Sequence, residues 1–229
     1  MRCYLFASSR SLAVVALLAL LNHGVSVGCE EPKKEVINVG VYYESLCGDS
    51  MRWIRDQLLP SYETLKNHIH LNFVPYGKAT HWREAETGPW QFSCQHGSAE
   101  CRGNMAQACA IDAIKNGEQA EKIQDLTVAV IGCAMSTRYP PTAVPQCAQK
   151  SGLSQETQEN INKCIDGSLS KDLLAANGDK TAALNPRLTF VPTITINEVH
   201  DKEKQRDTLT NFFRLICDQL SETTRPAGC

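Results

Sequence analysis

The sequence predicts an α/β fold in which a βαβ half and a ββα half flank a disulfide-rich, mostly helical insertion. Three observations predict it. Strand-like, helical and again strand-like patterns follow one another between Val36 and Pro75. Two short β-branched segments and an amphipathic helical pattern occupy residues 188–220. Between these halves lie six of the 11 cysteines, at Cys94, Cys101, Cys109, Cys133, Cys147 and Cys164, within segments that read as helices.

The first 28 residues do not read as fold. Arg2 and Arg10 precede an apolar core, Leu12 to Leu21, and small residues follow up to Gly28. This is the layout of a secretory signal peptide. The run is shorter than the roughly 20 residues a membrane span needs, and no later segment is apolar enough to cross one. The organisation expected is therefore a signal peptide at 1–28 and one domain at 29–229. Its core comprises 36–80 and 186–220, and the helical insertion 81–185.

Within the first half, Val36–Tyr43 is rich in β-branched and aromatic residues and reads as a central strand buried on both faces. Met51–Leu59 follows as a short helix with Met51, Ile54 and Leu58 near one face and Pro60 at its end. Ile69, Leu71 and Phe73 alternate with polar neighbours in a second strand closed by Pro75. Strand, helix, strand with such short connections implies parallel strands and a right-handed crossover.

In the insertion, Cys101–Asn116 reads as a helix stopped by Asn116-Gly117. Gln155–Asp166 is a second, capped by Ser154 and stopped by Gly167, and Leu169–Ala176 a third, stopped by Asn177-Gly178. Leu126–Ile131 reads equally as strand or buried helix. In the last half, Leu188–Val191 and Thr193–Ile196 read as strands. Asn197-Glu198 makes the turn, where Asn-Gly would suit a tight hairpin better. Leu209, Phe212, Phe213, Ile216 and Leu220 form an apolar helical face for the sheet.

A net charge of −2 without a Lys/Arg cluster argues against nucleic acid or an anionic membrane as partner. The cysteines say more. With Cys3 in the leader, ten of the 11 remain, and in a secreted chain most should be bridged. Zinc on Cys94, His96, Cys101 and Cys109 is the competing reading. An oxidising compartment and the lack of a Cys-x-x-Cys knuckle speak against it. If Cys47 is a free thiol, nine cysteines are left, so one more is free or joins two chains in a disulfide-linked dimer.

Cys47 stands where the first strand hands over to a helix, in Glu44-Ser45-Leu46-Cys47-Gly48-Asp49-Ser50. The thiolate is the attacking species in disulfide exchange, and a helix start favours an anion. Asp49 opposes that effect if it lies close. A structural bridge through Cys47 remains the alternative. Pro192 follows Val191 between two short strands, where it breaks the ladder and admits a cis bond. If the halves assemble as a thioredoxin-like core, Pro192 faces Cys47 and the Val191 backbone is placed to pair with a peptide. Such a redox site uses Cys-x-x-Cys, and here Ser50 stands at the second position.

The segment Cys94-Gln95-His96-Gly97-Ser98-Ala99-Glu100-Cys101-Arg102-Gly103-Asn104-Met105-Ala106-Gln107-Ala108-Cys109 matches C-Q-H-G-x-x-E-C-x-x-N-x-x-x-x-C at every fixed position. By this signature, and by the strand before Cys47 and the Val191-Pro192 step, the chain resembles the gamma-interferon-inducible lysosomal thiol reductase (GILT) family from Val36 to Leu220. The resemblance implies a thioredoxin-like fold, reduction of protein disulfides in acidic compartments, and no metal or organic cofactor. Cys47 then maps onto the attacking cysteine and Ser50 onto the resolving one. Cys94, Cys101 and Cys109 read as bridge halves. Gly97 reads as a turn of unusual φ. Gln95, His96, Glu100 and Asn104 are candidates for holding the insertion loop, with proton transfer by His96 as the alternative.

The serine changes what the resemblance implies. Cys47 can form a mixed disulfide with a substrate, but a hydroxyl cannot resolve it. Three outcomes follow: release by an external thiol such as glutathione, disulfide shuffling, or a fold kept for binding a protein partner. No Asn-x-Ser/Thr sequon occurs, which favours plain secretion over sugar-directed delivery to endosomes and lysosomes.

Overall fold

Strand β1, Ile37–Tyr43, is the middle of a three-stranded sheet in the computed structural model. The described residues are 36–229, with the two strand segments Cys3–Tyr4 and Gly28–Cys29, which pair antiparallel in a separate N-terminal unit. The signal-peptide reading of 1–28 otherwise lies outside them. Val39, Val41 and Tyr43 are fully buried, as a central strand between two packed faces requires. β2, Ile69–Pro75, runs parallel to β1 in the register Val39 to Leu71. β5, Thr193–Ile196, runs antiparallel on the other side, with Val41 opposite Ile194. A small hairpin, β3 (Thr80–Trp82) with β4 (Gln91–Ser93), stands apart from this sheet.

The crossover helix α1 covers residues 48–65, longer than the sequence implied. Pro60 does not end it. A proline lacks the N–H and crowds the preceding turn. Here the turn before it, Ile54–Leu58, widens to π-helix, and the Ser61 hydroxyl donates to Gln57 O at 2.6 Å. Trp53 anchors α1 to the C-terminal end by donating its indole N–H to Thr208 O at 2.8 Å.

The insertion carries five α-helices: α2 (Ser98–Gly117), α3 (Ile123–Ser136), α4 (Val144–Lys150), α5 (Gln155–Asp166) and α6 (Leu169–Ala182). Leu126–Ile131 is thus helix, inside α3. Ser154 caps α5 as expected, accepting from Thr157 N–H at 3.2 Å. Asn177-Gly178 fails as a stop, and α6 runs through it. Gly178 answers to packing instead: a Cβ there would lie 2.6 Å from the His81 ring and 2.7 Å from the Tyr76 ring. Gln124 of α3 lies along the free edge of β2. Its side chain accepts from Leu71 N–H at 2.9 Å and donates to Lys66 O and Ile69 O.

The last half departs once more from the expected pattern. Leu188–Val191 is not a strand. Pro192 offers no N–H, and the ladder to β1 begins only at Thr193. The C-terminal apolar face is split at Asn211 between α7 (Gln205–Thr210) and α8 (Phe212–Gln219). Phe212 and Ile216 are buried completely, as the periodicity required. One apolar core joins the sheet to α1, α3 and α8, and a second lies among α2 to α5.

Asn197 and Glu198 both take positive φ, 49° and 67°. Asn tolerates this conformation, but a Cβ-bearing glutamate pays about 1 kcal/mol for it. Glu198→Gly is therefore expected to raise the unfolding free energy by roughly 0.5–1 kcal/mol, measured by urea titration. An unchanged or lower midpoint would show that the turn is not strained.

Candidate active site

Cys47 is the only free cysteine among the described residues. Its extended backbone (φ −72°, ψ 118°) ends the strand side and starts α1, and its carbonyl accepts from Met51 N–H at 3.0 Å. The sulfur lies 3.7 Å from the carbonyl oxygen of Val191, to which the thiol donates. The Val191–Pro192 bond is cis. The thiol thus lies against the residue that precedes Pro192. The Val191 carbonyl, however, is turned to the thiol. Cys47 is 9 % exposed, so only an edge of it reaches solvent. Asp49 does not crowd the sulfur with an unpaired charge, because its carboxylate meets Arg52 at 3.0 Å on the exposed side of the helix. A cavity of about 550 Å³ opens between this first turn and residues 190–192, with Trp53, Phe190, Val191 and Pro192 on its walls.

Ser50 lies one turn further along and is fully buried. Its hydroxyl accepts from Glu44 N–H at 3.5 Å. Among the described residues no hydrogen bond joins it to Cys47.

The signature segment packs under the Cys47 loop. Asn104 accepts from Ser45 N–H at 2.8 Å, and the Ser45 hydroxyl donates to Glu100 O at 3.1 Å. Gly103 makes room for that contact, since a Cβ there would lie 2.4 Å from Ser45 Oγ. Asn104 thus holds the Cys47 loop, not the insertion's own loop as the sequence suggested. Gly97 caps α2 at φ 79°, the unusual conformation expected of it. Cys94 and Cys101 bridge to each other, and Cys109 bridges to Cys164, which removes these sulfurs from any zinc site. Cys133–Cys147 and Cys217–Cys229 complete four bridges among the described residues. Of the ten cysteines after the leader, Cys29 alone has its side chain outside the described residues. Gln95 is exposed.

His96 Nδ1 lies 2.5 Å from Glu100 Oε2 and 3.5 Å from Glu44 Oε2. Both carboxylates are fully buried. Burial raises the pKa of Glu44, the Lys78 N–H on its other oxygen lowers it, and the charge of Glu100 raises it again. Glu44 and Ser45 escaped the sequence reading. The available signal was a charged residue placed directly after the buried run Val39–Tyr43, where a strand end on the surface would normally explain it.

Comparison with known proteins agrees with this geometry. A family model described as gamma interferon inducible lysosomal thiol reductase (GILT) matches residues 38–151. The chain is 32% identical over 225 residues to a gamma-interferon-inducible lysosomal thiol reductase-like protein of Anopheles gambiae, covering 96% of this chain and 87% of that one. It is 32% identical over 206 residues to the gamma-interferon-inducible lysosomal thiol reductase of Carassius auratus, covering 90% and 77%. It is 34% identical over 192 residues to GILT-like protein 1 of Drosophila melanogaster, covering 81% and 75%. Among solved structures, Chlamydia trachomatis DsbA superposes with a TM-score of 0.51 at 12% identity over 81% of this chain and 88% of that one. At that identity the likeness speaks for the fold alone, a thioredoxin-like one. Fold, signature and relatives together place this chain in the GILT family of thiol oxidoreductases.

Proposed function

We propose that this chain acts on protein disulfides through Cys47 alone, with turnover limited by the serine at position 50. The observation that carries this reading is the one free thiol among the described residues, at a helix start 3.7 Å from the Val191 carbonyl, with a hydroxyl one turn away. The Cys47 thiolate attacks one sulfur of the substrate disulfide. A Cys47–substrate disulfide forms and the other substrate sulfur leaves as a thiolate. An external thiol such as glutathione then attacks the Cys47 sulfur and frees the second substrate thiolate. A further glutathione returns Cys47 to the thiol, with oxidised glutathione as product.

The compartment proposed is the secretory route, ending outside the cell or in endosomes and lysosomes. Four bridges suit an oxidising environment. No helix among the described residues is long and apolar enough to cross a membrane.

One observation favours a second reading, a binding protein that keeps the fold without the chemistry: Cys47 is only 9 % exposed. A reduction assay near pH 5 separates the two. Wild type alone is expected to stop at the Cys47–substrate disulfide and to turn over only with added glutathione, and Cys47→Ala to be silent in both conditions. Activity that survives Cys47→Ala removes the catalytic reading, and silence of wild type with glutathione selects the binder.

A further inference from the structure

Glu44 comes from one piece of chain, and His96 and Glu100, four residues apart, from another. Glu44 follows β1, His96 lies in the loop closed by the Cys94–Cys101 bridge, and Glu100 is in the first turn of α2. Their ligand atoms lie within 4.8 Å of one another, the one such cluster among the described residues. Each carboxylate has one oxygen fixed by a backbone N–H: Glu44 Oε1 by Lys78 at 2.7 Å, Glu100 Oε1 by His96 at 3.2 Å. The second oxygen of each converges on His96 Nδ1.

A second observation is independent of that convergence. Glu44 is fully buried, yet its Oε2 has no hydrogen-bond partner. Its nearest charged neighbour, His96 Nδ1 at 3.5 Å, is already engaged by Glu100. A buried carboxylate oxygen left this way is costly unless a proton or a cation attends it. The turn at Gly77 presses on this same carboxylate, since a Cβ there would lie 2.3 Å from Glu44 Cγ and 2.5 Å from Oε1.

We propose that Glu44, His96 and Glu100 bind one divalent transition-metal cation, with Zn²⁺ as the best fit. Imidazole nitrogen with two carboxylate oxygens suits Zn²⁺ better than Mg²⁺ or Ca²⁺, which prefer all-oxygen sets. Zinc bonds of about 2.1 Å put tetrahedral ligands roughly 3.4 Å apart. The Glu44–His96 separation of 3.5 Å meets this already. The Glu100–His96 pair opens by about 1 Å as the ion replaces the shared hydrogen. Backbone donors on the outer oxygens aim the inner ones, as outer-shell partners do in metal sites. The imidazole side chain is 39% exposed and gives the ion its way in. Three protein ligands leave the fourth position to water.

The test uses the full chain with its four bridges intact and with Cys3→Ala, Cys29→Ala and Cys47→Ala, so that no cysteine outside those bridges competes. After dialysis against EDTA, Zn²⁺ is titrated by calorimetry at pH 7.5, and Co²⁺ absorption reports the coordination geometry. The expected result is one saturable equivalent, a rise in Tm with Zn²⁺, and no such rise with Mg²⁺. Glu100→Gln and His96→Gln should each weaken binding by tenfold or more. His96 is the most exposed of the three, so His96→Gln keeps the test readable if Glu100→Gln does not fold. No saturable Zn²⁺ binding, or affinity within threefold of the parent in His96→Gln, overturns the site. Disulfide reduction enters none of these readouts, so the proposal stands or falls apart from the one on Cys47.

Discussion

Ser50→Cys is expected to convert a protein that traps its substrate into one that releases it. Position 50 lies in the first turn of α1, three residues past Cys47, the spacing of a Cys-x-x-Cys redox pair. A thiolate there attacks the mixed disulfide from inside the molecule. Intramolecular attack by an oriented group corresponds to effective concentrations far above the millimolar level of a free thiol. Release in a single-turnover experiment without glutathione should therefore accelerate on the order of a hundredfold or more. The wild-type mixed disulfide, seen by mass spectrometry after acid quenching, should fall to a trace. Ser50 is fully buried, so the larger sulfur needs a small adjustment against Glu44 N–H. That adjustment costs little beside the chemical gain. Release no faster in Ser50→Cys than in wild type would mean that something other than the missing sulfur limits this site.

The second large effect concerns stability. Cys109–Cys164 closes the longest loop of the four bridges, with 55 residues of separation against 14, 12 and 7. Chain-entropy reasoning assigns such a closure about 4 kcal/mol, against roughly 2.4 kcal/mol for the Cys94–Cys101 loop. Both sulfurs are buried between α2 and α5. The double variant Cys109→Ala/Cys164→Ala should therefore lose about 4 kcal/mol and roughly 10 °C of Tm. Calorimetry of this variant beside Cys94→Ala/Cys101→Ala provides the comparison. Equal losses in the two would sink the loop-length account and leave local packing as the cause.

The parts of the fold legible in the sequence are those fixed by local pattern. β1, β2, their parallel pairing and the Ser154 cap depend on neighbours a few residues apart. Pro60 and Asn177-Gly178 were misleading because tertiary packing decided them. A π-helical turn accommodates the first, and the Tyr76 and His81 rings demand the second. Leu188–Val191 has strand composition but no ladder, because Pro192 sits where the pairing would have to start. At the site, Cys47, Ser50 and Pro192 were legible, each carrying chemistry or a backbone constraint in its own side chain. Glu44 was not, because what singles it out is the company of Glu100 and His96, 56 and 52 residues away in sequence. Asn104 was assigned to the wrong loop for the same reason.

The side chain of Gln124 has a consequence beyond architecture. By taking Leu71 N–H and the carbonyls of Lys66 and Ile69, one amide stands in for a neighbouring strand along that border of the sheet. A bare row of such groups is a template on which other molecules add strands and build insoluble aggregates. Here a helix of the insertion closes that route. An insertion that carries the signature segment also guards the solubility of the core beneath it.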